Sequence, residues 1–271
     1  MSVDDQNIVY RIAVPSECER IREALISFYY PEELLNVSYI DENGHSPTGP
    51  TEQDIQYALS FVTQGMAAIA IDSKHGIIVG VSIARLVDLN TAEELLGSVV
   101  SPDVSRKRAE MVKLFAYLER TGDVCGRFRT RRSYHVFVLA VDPRFRRRAI
   151  GQKLMEFQLA RGKTLRFRLV SADFSNEQAS RIGARLDMRC VAALALDQYR
   201  NSAGERIFEA RGADNIVCTY ARADWHTGSH PKPGEDVLYS LSRKDKKTAL
   251  IRRTAVVHVK VCRVTTSGNE E

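Results

Sequence analysis

Between Val138 and Leu154 the chain runs VLAVDPRFRRRAIGQKL, which joins an apolar strand, a Pro-containing turn and the opening of an amphipathic helix. No other segment restricts the fold as strongly. Tyr134 to Val141 is almost continuously apolar, as a strand covered on both faces must be. The helix that follows opens at about Ala149, and Ile150, Leu154 and Phe157 must be buried against the sheet. Its first turn leaves backbone N–H groups unpaired and carries partial positive charge. Ala149 and Gly151 are small enough to let an anion approach the backbone, and Arg146, Arg147 and Arg148 add cations at the same place. The spacing thus predicts a pyrophosphate-sized anion site at a helix N-terminus.

The surrounding pattern predicts a mixed sheet with helices on both faces, an α/β (α+β) chain. Val9 to Val14 reads as a strand, and Ser16 and Glu19 have the spacing of a capping box for a helix that buries Ile21, Leu25 and Phe28. Thr51 and Asp54 bracket a second helix. Met66 to Ile71 and Ile77 to Val87 form a hairpin around Gly76. Further helices are expected around Met111 to Leu118 and over Asn176 to Leu186, and strands over Leu165 to Val170 and Val191 to Tyr199. Gly212 to about Ile251 has little periodicity and reads as an irregular insertion or long loop, before a last strand at about 252–264 and a disordered tail at 265–271.

Composition excludes several classes. Five cysteines (Cys18, Cys125, Cys190, Cys218 and Cys262) with no CxxC fit reduced thiols and a cytoplasmic setting. The N-terminus has no basic flank ahead of an apolar stretch, and no run reaches the ~20 apolar residues that span a bilayer, so no membrane association is expected. Cys218, His226 and His230 lack a further cysteine at ligand spacing, so no metal is expected. The net charge of +5 is concentrated in two runs, Arg127 to Arg132 and Arg144 to Arg148. No recognition motif accompanies them, which argues against nucleic acid as a partner. A monomer is expected.

Arg146-Arg-Arg-Ala149-Ile-Gly151 resembles the acetyl-CoA loop of the GNAT acetyltransferases, Arg/Gln-x-x-Gly-x-Gly/Ala, with Ala149 in place of the first Gly. The substitution is mild if residue 149 is helical and costly if it needs positive φ. Asn176-Glu-Gln-Ala179-Ser-Arg-Ile182-Gly183-Ala-Arg-Leu186 resembles the family's next helix, with Gly183 where many members carry a tyrosine acid. Phe28-Tyr-Tyr-Pro-Glu-Glu33-Leu-Leu-Asn36 is similar to a segment of the invertebrate arylalkylamine (dopamine-type) N-acetyltransferases. The resemblance covers residues 8–211 and the last strand at about 252–264, which would complete the domain, and implies a GNAT fold, a twisted and mostly antiparallel sheet of about seven strands. It implies acetyl-CoA as co-substrate, held by Leu139, Ala140, Val141, Arg146, Arg147, Arg148, Ala149, Ile150, Gly151, Gln152 and Asn176. It implies Glu33 as general base for an amine such as dopamine, tyramine, octopamine or serotonin, with Ser175 assisting. The subfamily's second serine falls on Ala179.

A base is what the chemistry needs, because an alkylamine is protonated at neutral pH and only its neutral form attacks a thioester. Three readings stay open at this stage: an arylalkylamine acceptor, a polyamine or protein amine on the same scaffold, or a degenerate domain that binds CoA without turnover. Ser175 also reads as a simple helix N-cap, Phe28, Tyr29, Tyr30 and Tyr39 as pocket wall or core, His135 as a buried structural histidine, and Asp142 as a turn cap.

Overall fold

A computed structural model describes residues 7–46, 49–209 and 215–223. In chain order the elements are β1 (Ile8–Ile12), α1 (Cys18–Ala24), α2 (Leu34–Ser38), α3 (Glu52–Thr63), β2 (Ala67–Asp72) and β3 (Ile77–Asp88). They continue with α4 (Thr91–Gly97), α5 (Arg106–Gly122), α6 (Val124–Arg127), β4 (Arg132–Val141) and α7 (Ile150–Thr164). The last are β5 (Leu169–Phe174), α8 (Glu177–Arg185), β6 (Arg189–Ala195) and β7 (Ile216–Ala223). The seven strands form one sheet in the order β1-β2-β3-β4-β5-β7-β6. All neighbours are antiparallel except β4 and β5. The mixed sheet with flanking helices is the architecture expected from the sequence.

Each face of the sheet has its own core. Ile21, Leu25 and Phe28 of the first helix pack with Ile55, Leu59 and Val62 of α3 against Ile69, Val81, Ile83 and Val138. On the other face Ile150 and Leu154 of α7 lie on Ala68, Ala70 and Val79. The approach is close because Gly80 has no side chain: a Cβ there would be 2.9 Å from Leu154 Cδ1 and 3.1 Å from Ile150 Cγ2. α7 is therefore seated on β3, and its N-terminus is fixed beside the end of β4.

The parallel pair is short. β4 and β5 match only at Tyr134–Val170, His135–Ser171 and Val136–Ala172, after which the two strands part. The fork this leaves opens toward the turn that leads into α7.

Several boundaries differ from the sequence reading. Ser16 and Glu19 make no capping box; Glu17 does the capping, accepting from Val14 N at 3.0 Å and from Arg11 at 2.7 Å, and the helix begins at Cys18. Leu165 ends α7 and β5 begins only at Leu169, because the good helix formers after Ile150 carry α7 on to Thr164. Gly162 survives inside that helix because a Cβ would stand 2.8 Å from Val170. β6 stops at Ala195, and a single 3-10 turn takes over at Leu196–Gln198. The largest correction concerns 212–251. Ile216–Ala223 within it is β7, inserted between β5 and β6 and buried over most of its length. Its β-branched and aromatic residues suit a central strand, and the Gly-, His- and Pro-rich stretch after it masked that pattern. The strand expected at 252–264 and the tail at 265–271 lie outside the described residues.

Candidate active site

The turn between β4 and α7 is shaped by its main chain. Asp142 caps it, accepting from Arg144 N at 2.9 Å, and the Arg144 guanidinium holds its carboxyl below the usual range. Arg147 has φ 63° and Ala149 has φ 55°, so both occupy the left-handed region that costs a residue with a Cβ roughly 1–2 kcal/mol. Ala149 is thus the N-cap of α7 rather than its first helical residue, and the missing glycine is the costly kind. The first intrahelical bond runs from Lys153 N to Ala149 O at 2.9 Å, leaving the amides of Ile150, Gly151 and Gln152 ahead of it. Gly151 is tightly set, since a Cβ would be 3.2 Å from Ile182 Cδ1 and 3.5 Å from Val141 Cγ2.

These residues fit a pyrophosphate-bearing cofactor by the cradle they form. Ile150 is buried, so it can offer only its N–H; the Gln152 side chain donates to Glu156 at 2.8 Å. Arg146 donates to Val141 O at 3.3 Å and to Glu32 at 2.5 Å, tying the loop to the end of the first helix. Arg148 lies over the Phe145 ring. Asn176 caps α8 by accepting from Ala179 N at 2.8 Å, so Asn176 rather than Ser175 is the helix cap. The other arginine run, Arg127 to Arg132, lies at the far end of β4 from this turn.

Beside the fork lies a cavity of about 1160 Å³ including its open mouth. It brings Glu33 and Ser175 together with Leu139 and Asn176 in one lining, although these residues are far apart in sequence. Glu33 reaches it through an irregularity in the first helix. After Ala24 one turn widens, with Tyr30 N bonding Leu25 O at 3.0 Å, and this turns Tyr29 and Tyr30 into the cavity while Phe28 stays in the core. Tyr39 is also core.

Glu33 is the N-cap of α2. Its carboxylate accepts from Leu35 N at 3.0 Å, Asn36 N at 2.8 Å and Asn36 Nδ2 at 2.8 Å. Burial raises its pKa, and the three donors and the nearby charge of Lys107 only partly offset that. Two further carboxylates line the cavity, Asp54 and Asp173; the sequence marks Asp54 only as a residue bracketing α3 and does not mark Asp173. Asp54 is neutralised by Arg108 at 2.5 Å. Asp173 accepts from Thr219 Oγ1 at 2.6 Å, and His135 Nε2 is 3.3 Å from its other oxygen. Burial pushes Asp173 up, but His135, Thr219 and Arg85 outweigh it and hold the carboxyl low. Arg85 itself is buried against Glu119. Tyr29, Tyr57, Phe115 and Phe137 supply an aromatic wall.

At Gly183 there is no room for the tyrosine common in the resemblance: a Cβ would be 2.7 Å from Phe174 Cε2 and 3.0 Å from Tyr220 Cδ1. No group of three or more metal-ligating side chains occurs among the described residues, where Cys218 is buried in β7; His226 and His230 lie outside them. Among the described residues no helix is long and apolar enough to cross a membrane.

The family pattern "Acetyltransferase (GNAT) domain" matches residues 74–186, from the hairpin turn to the end of α8. A mosquito arylalkylamine N-acetyltransferase like 5b structure superposes with a TM-score of 0.75 at 36% identity, over 80% of this chain and 99% of that one. The chain belongs to the GNAT acetyltransferases. A polyamine N-acetyltransferase from Drosophila melanogaster, which catalyses formation of N-acetylagmatine, matches this GNAT chain at 28% identity. Its TM-score is 0.73, over 80% of this chain and 99% of that one. Arylalkylamine N-acetyltransferase 2 from Aedes aegypti shares the fold, with a TM-score of 0.69 at 20% identity and the same coverage. Comparison with curated proteins gives no match. This GNAT chain is an N-acetyltransferase, and enzymes of its family use acetyl-CoA.

Proposed function

We propose that the enzyme acetylates the primary amine of arylalkylamines of the dopamine, tyramine, octopamine and serotonin type, with Glu33 as general base. The observation that carries this is one cavity in which the Glu33 carboxylate faces an aromatic wall of Tyr29, Tyr57, Phe115 and Phe137. Acetyl-CoA brings an acetyl thioester whose carbonyl carbon is the electrophile. The amides of Ile150, Gly151 and Gln152 and the cations Arg146, Arg147 and Arg148 hold its pyrophosphate, and the open main chain at Leu139, Ala140 and Val141 accepts its arm.

At pH 7 only about 4 in 10⁴ molecules of an alkylamine with a lysine-like pKa are neutral. Glu33 removes the ammonium proton, directly or through one water, and its raised pKa makes it a stronger base than a surface carboxylate. The three donors on Glu33 fix its oxygens, so the base is oriented before substrate arrives. Ser175, half-buried in the same lining, positions the amine or returns a proton to the leaving sulfur. With Gly183 closed off, no tyrosine from α8 can do so.

A second reading has its own support: beyond Glu33 the lining carries Asp173, which suits an acceptor with a second cation, and one matched structure is a polyamine acetyltransferase. Steady-state acetyl-CoA turnover with aromatic amines, agmatine and spermidine separates the two. Preference for aromatic amines by kcat/KM, lost on Glu33→Gln, is the expected result. Preference for agmatine or spermidine moves the assignment to the second reading, and acetyl-CoA binding without turnover on any amine rejects both.

A further inference from the structure

The Asp173 carboxylate has a demand that its protein neighbours do not meet. It is the first β5 residue beyond the last parallel pair, Val136–Ala172, so it stands at the apex of the fork and in the cavity lining. Thr219 Oγ1 donates to Oδ1 at 2.6 Å. The other oxygen faces His135 Nε2 at 3.3 Å, yet that nitrogen, on a side chain 1% exposed, has no hydrogen-bond partner. A carboxylate offers about four acceptor positions.

Behind Asp173, His135 ends a short buried polar chain. Ser133 Oγ lies 3.3 Å from Leu169 O and 2.8 Å from Ser171 Oγ. Ser171 Oγ is in turn hydrogen-bonded to His135 Nδ1 at 2.9 Å. Thr219 Oγ1 fills one acceptor position of Asp173 and His135 Nε2 at most one more, which leaves the remaining positions of the carboxylate to the cavity it lines. The other charges of the cavity are matched locally: Asp54 by Arg108 and Arg85 by Glu119. Glu33 is held by its three donors at the helix cap.

We propose that Asp173 is the subsite for the positively charged nitrogen of the acceptor, binding the ammonium at the apex of the β4–β5 fork while Glu33 removes the proton. This rests on the amine-acceptor reading above. It divides two tasks that one carboxylate does poorly together. An anchor must stay charged to attract a cation, whereas a base must be ready to take a proton. Thr219 is the positioning residue for the anchor.

The test compares two ligands of one shape, 2-phenylethylamine and 2-phenylethanol, titrated calorimetrically into the full chain in the presence of CoA. A charge-assisted hydrogen bond is expected to favour the amine by about 10-fold or more in the wild-type enzyme. Asp173→Asn should remove most of that preference, leave the affinity for the alcohol unchanged, and in turnover raise KM for the amine with kcat much less affected. Equal loss of both ligands makes Asp173 a structural residue and overturns the proposal. An intact preference overturns it too, as an imidazolium at His135 neutralising Asp173 would produce. If Asp173→Asn does not fold, Thr219→Val keeps the charge but frees its orientation, and the preference should fall by about 3-fold; no change there is equally fatal. A wild-type chain that discriminates the two ligands but acetylates no amine removes the proposed function and leaves this subsite standing. Normal turnover with an unchanged amine KM in Asp173→Asn does the reverse.

Discussion

The proposed cofactor side of the cleft is made of main chain, whereas the proposed acceptor side is made of side chains gathered from distant elements. On the cofactor side the amides of Ile150, Gly151 and Gln152 follow one another in a single turn, and that turn keeps its shape although Ala149 bears the left-handed strain. On the acceptor side Glu33, Asp173 and the aromatic wall come from the end of the first helix, α2, α3, α5, β4 and β5. The lesson is that a site built from backbone tolerates substitution of its side chains, while one built from side chains depends on each.

The comparison breaks most readily at Glu33. Glu33→Gln should lower kcat by about 10²-fold or more while KM for acetyl-CoA stays within about twofold, since a positioned base contributes 10²–10⁴. A parallel loss in both would mean the two sides are not separate. The pH profile sharpens the same point. Only ionised Glu33 can accept a proton and its folded-state pKa is raised, so wild-type kcat should climb with pH through a limb above the ordinary glutamate value of about 4.3. That limb should be absent from the Gln variant; a limb that persists there belongs to another group.

Next in size is Gly183, where crowding by Phe174 and Tyr220 predicts that Gly183→Ala loses about 1–3 kcal/mol in thermal unfolding. An unaltered melting temperature would show that the rings can yield. Ala149→Gly should act in the opposite direction, gaining about 0.5–1 kcal/mol as relief of the left-handed strain exceeds the added chain entropy, with both KM values unchanged. A loss of stability would contradict the positive φ. The smallest effect is expected at Arg146, half-exposed and bonded to Glu32. Arg146→Ala should raise KM for acetyl-CoA only about 2–5-fold, and less so as salt is added.

Much of this was legible before any coordinates. The strand-turn-helix of Val138 to Leu154, the α3 start bracketed by Thr51 and Asp54, and the buried stripe Ile21, Leu25 and Phe28 are local patterns with local causes; the structure has all three, with Ala149 as the cap of α7 and a capping box at Thr51. Glu33 could be named only through a resemblance, because nothing near Tyr30-Pro31-Glu32 announces that a widened turn aims the next residues at a cavity. Asp173 was missed for a physical reason: its partners Thr219 and His135 lie on β7 and β4, and only the register of the sheet brings them together. The expected role of Asn176 at the cofactor is constrained by its cap bond to Ala179, which a spacing argument had given to Ser175. β7 itself was lost because a regular strand was read together with the irregular composition that follows it.

The short parallel seam has a consequence for cooperativity. Main-chain bonding between the β1–β4 leaf and the β5–β7 leaf is confined to three residue pairs, so most of the cohesion between leaves must come from helices packed across them. Such a seam is where sub-global opening begins, with the leaf of lower opening free energy exchanging its amide protons first. A ligand lodged in the fork touches both leaves and belongs to neither, so binding welds two foldons into one. The cofactor proposed to bind there would add to the cooperativity of the two leaves.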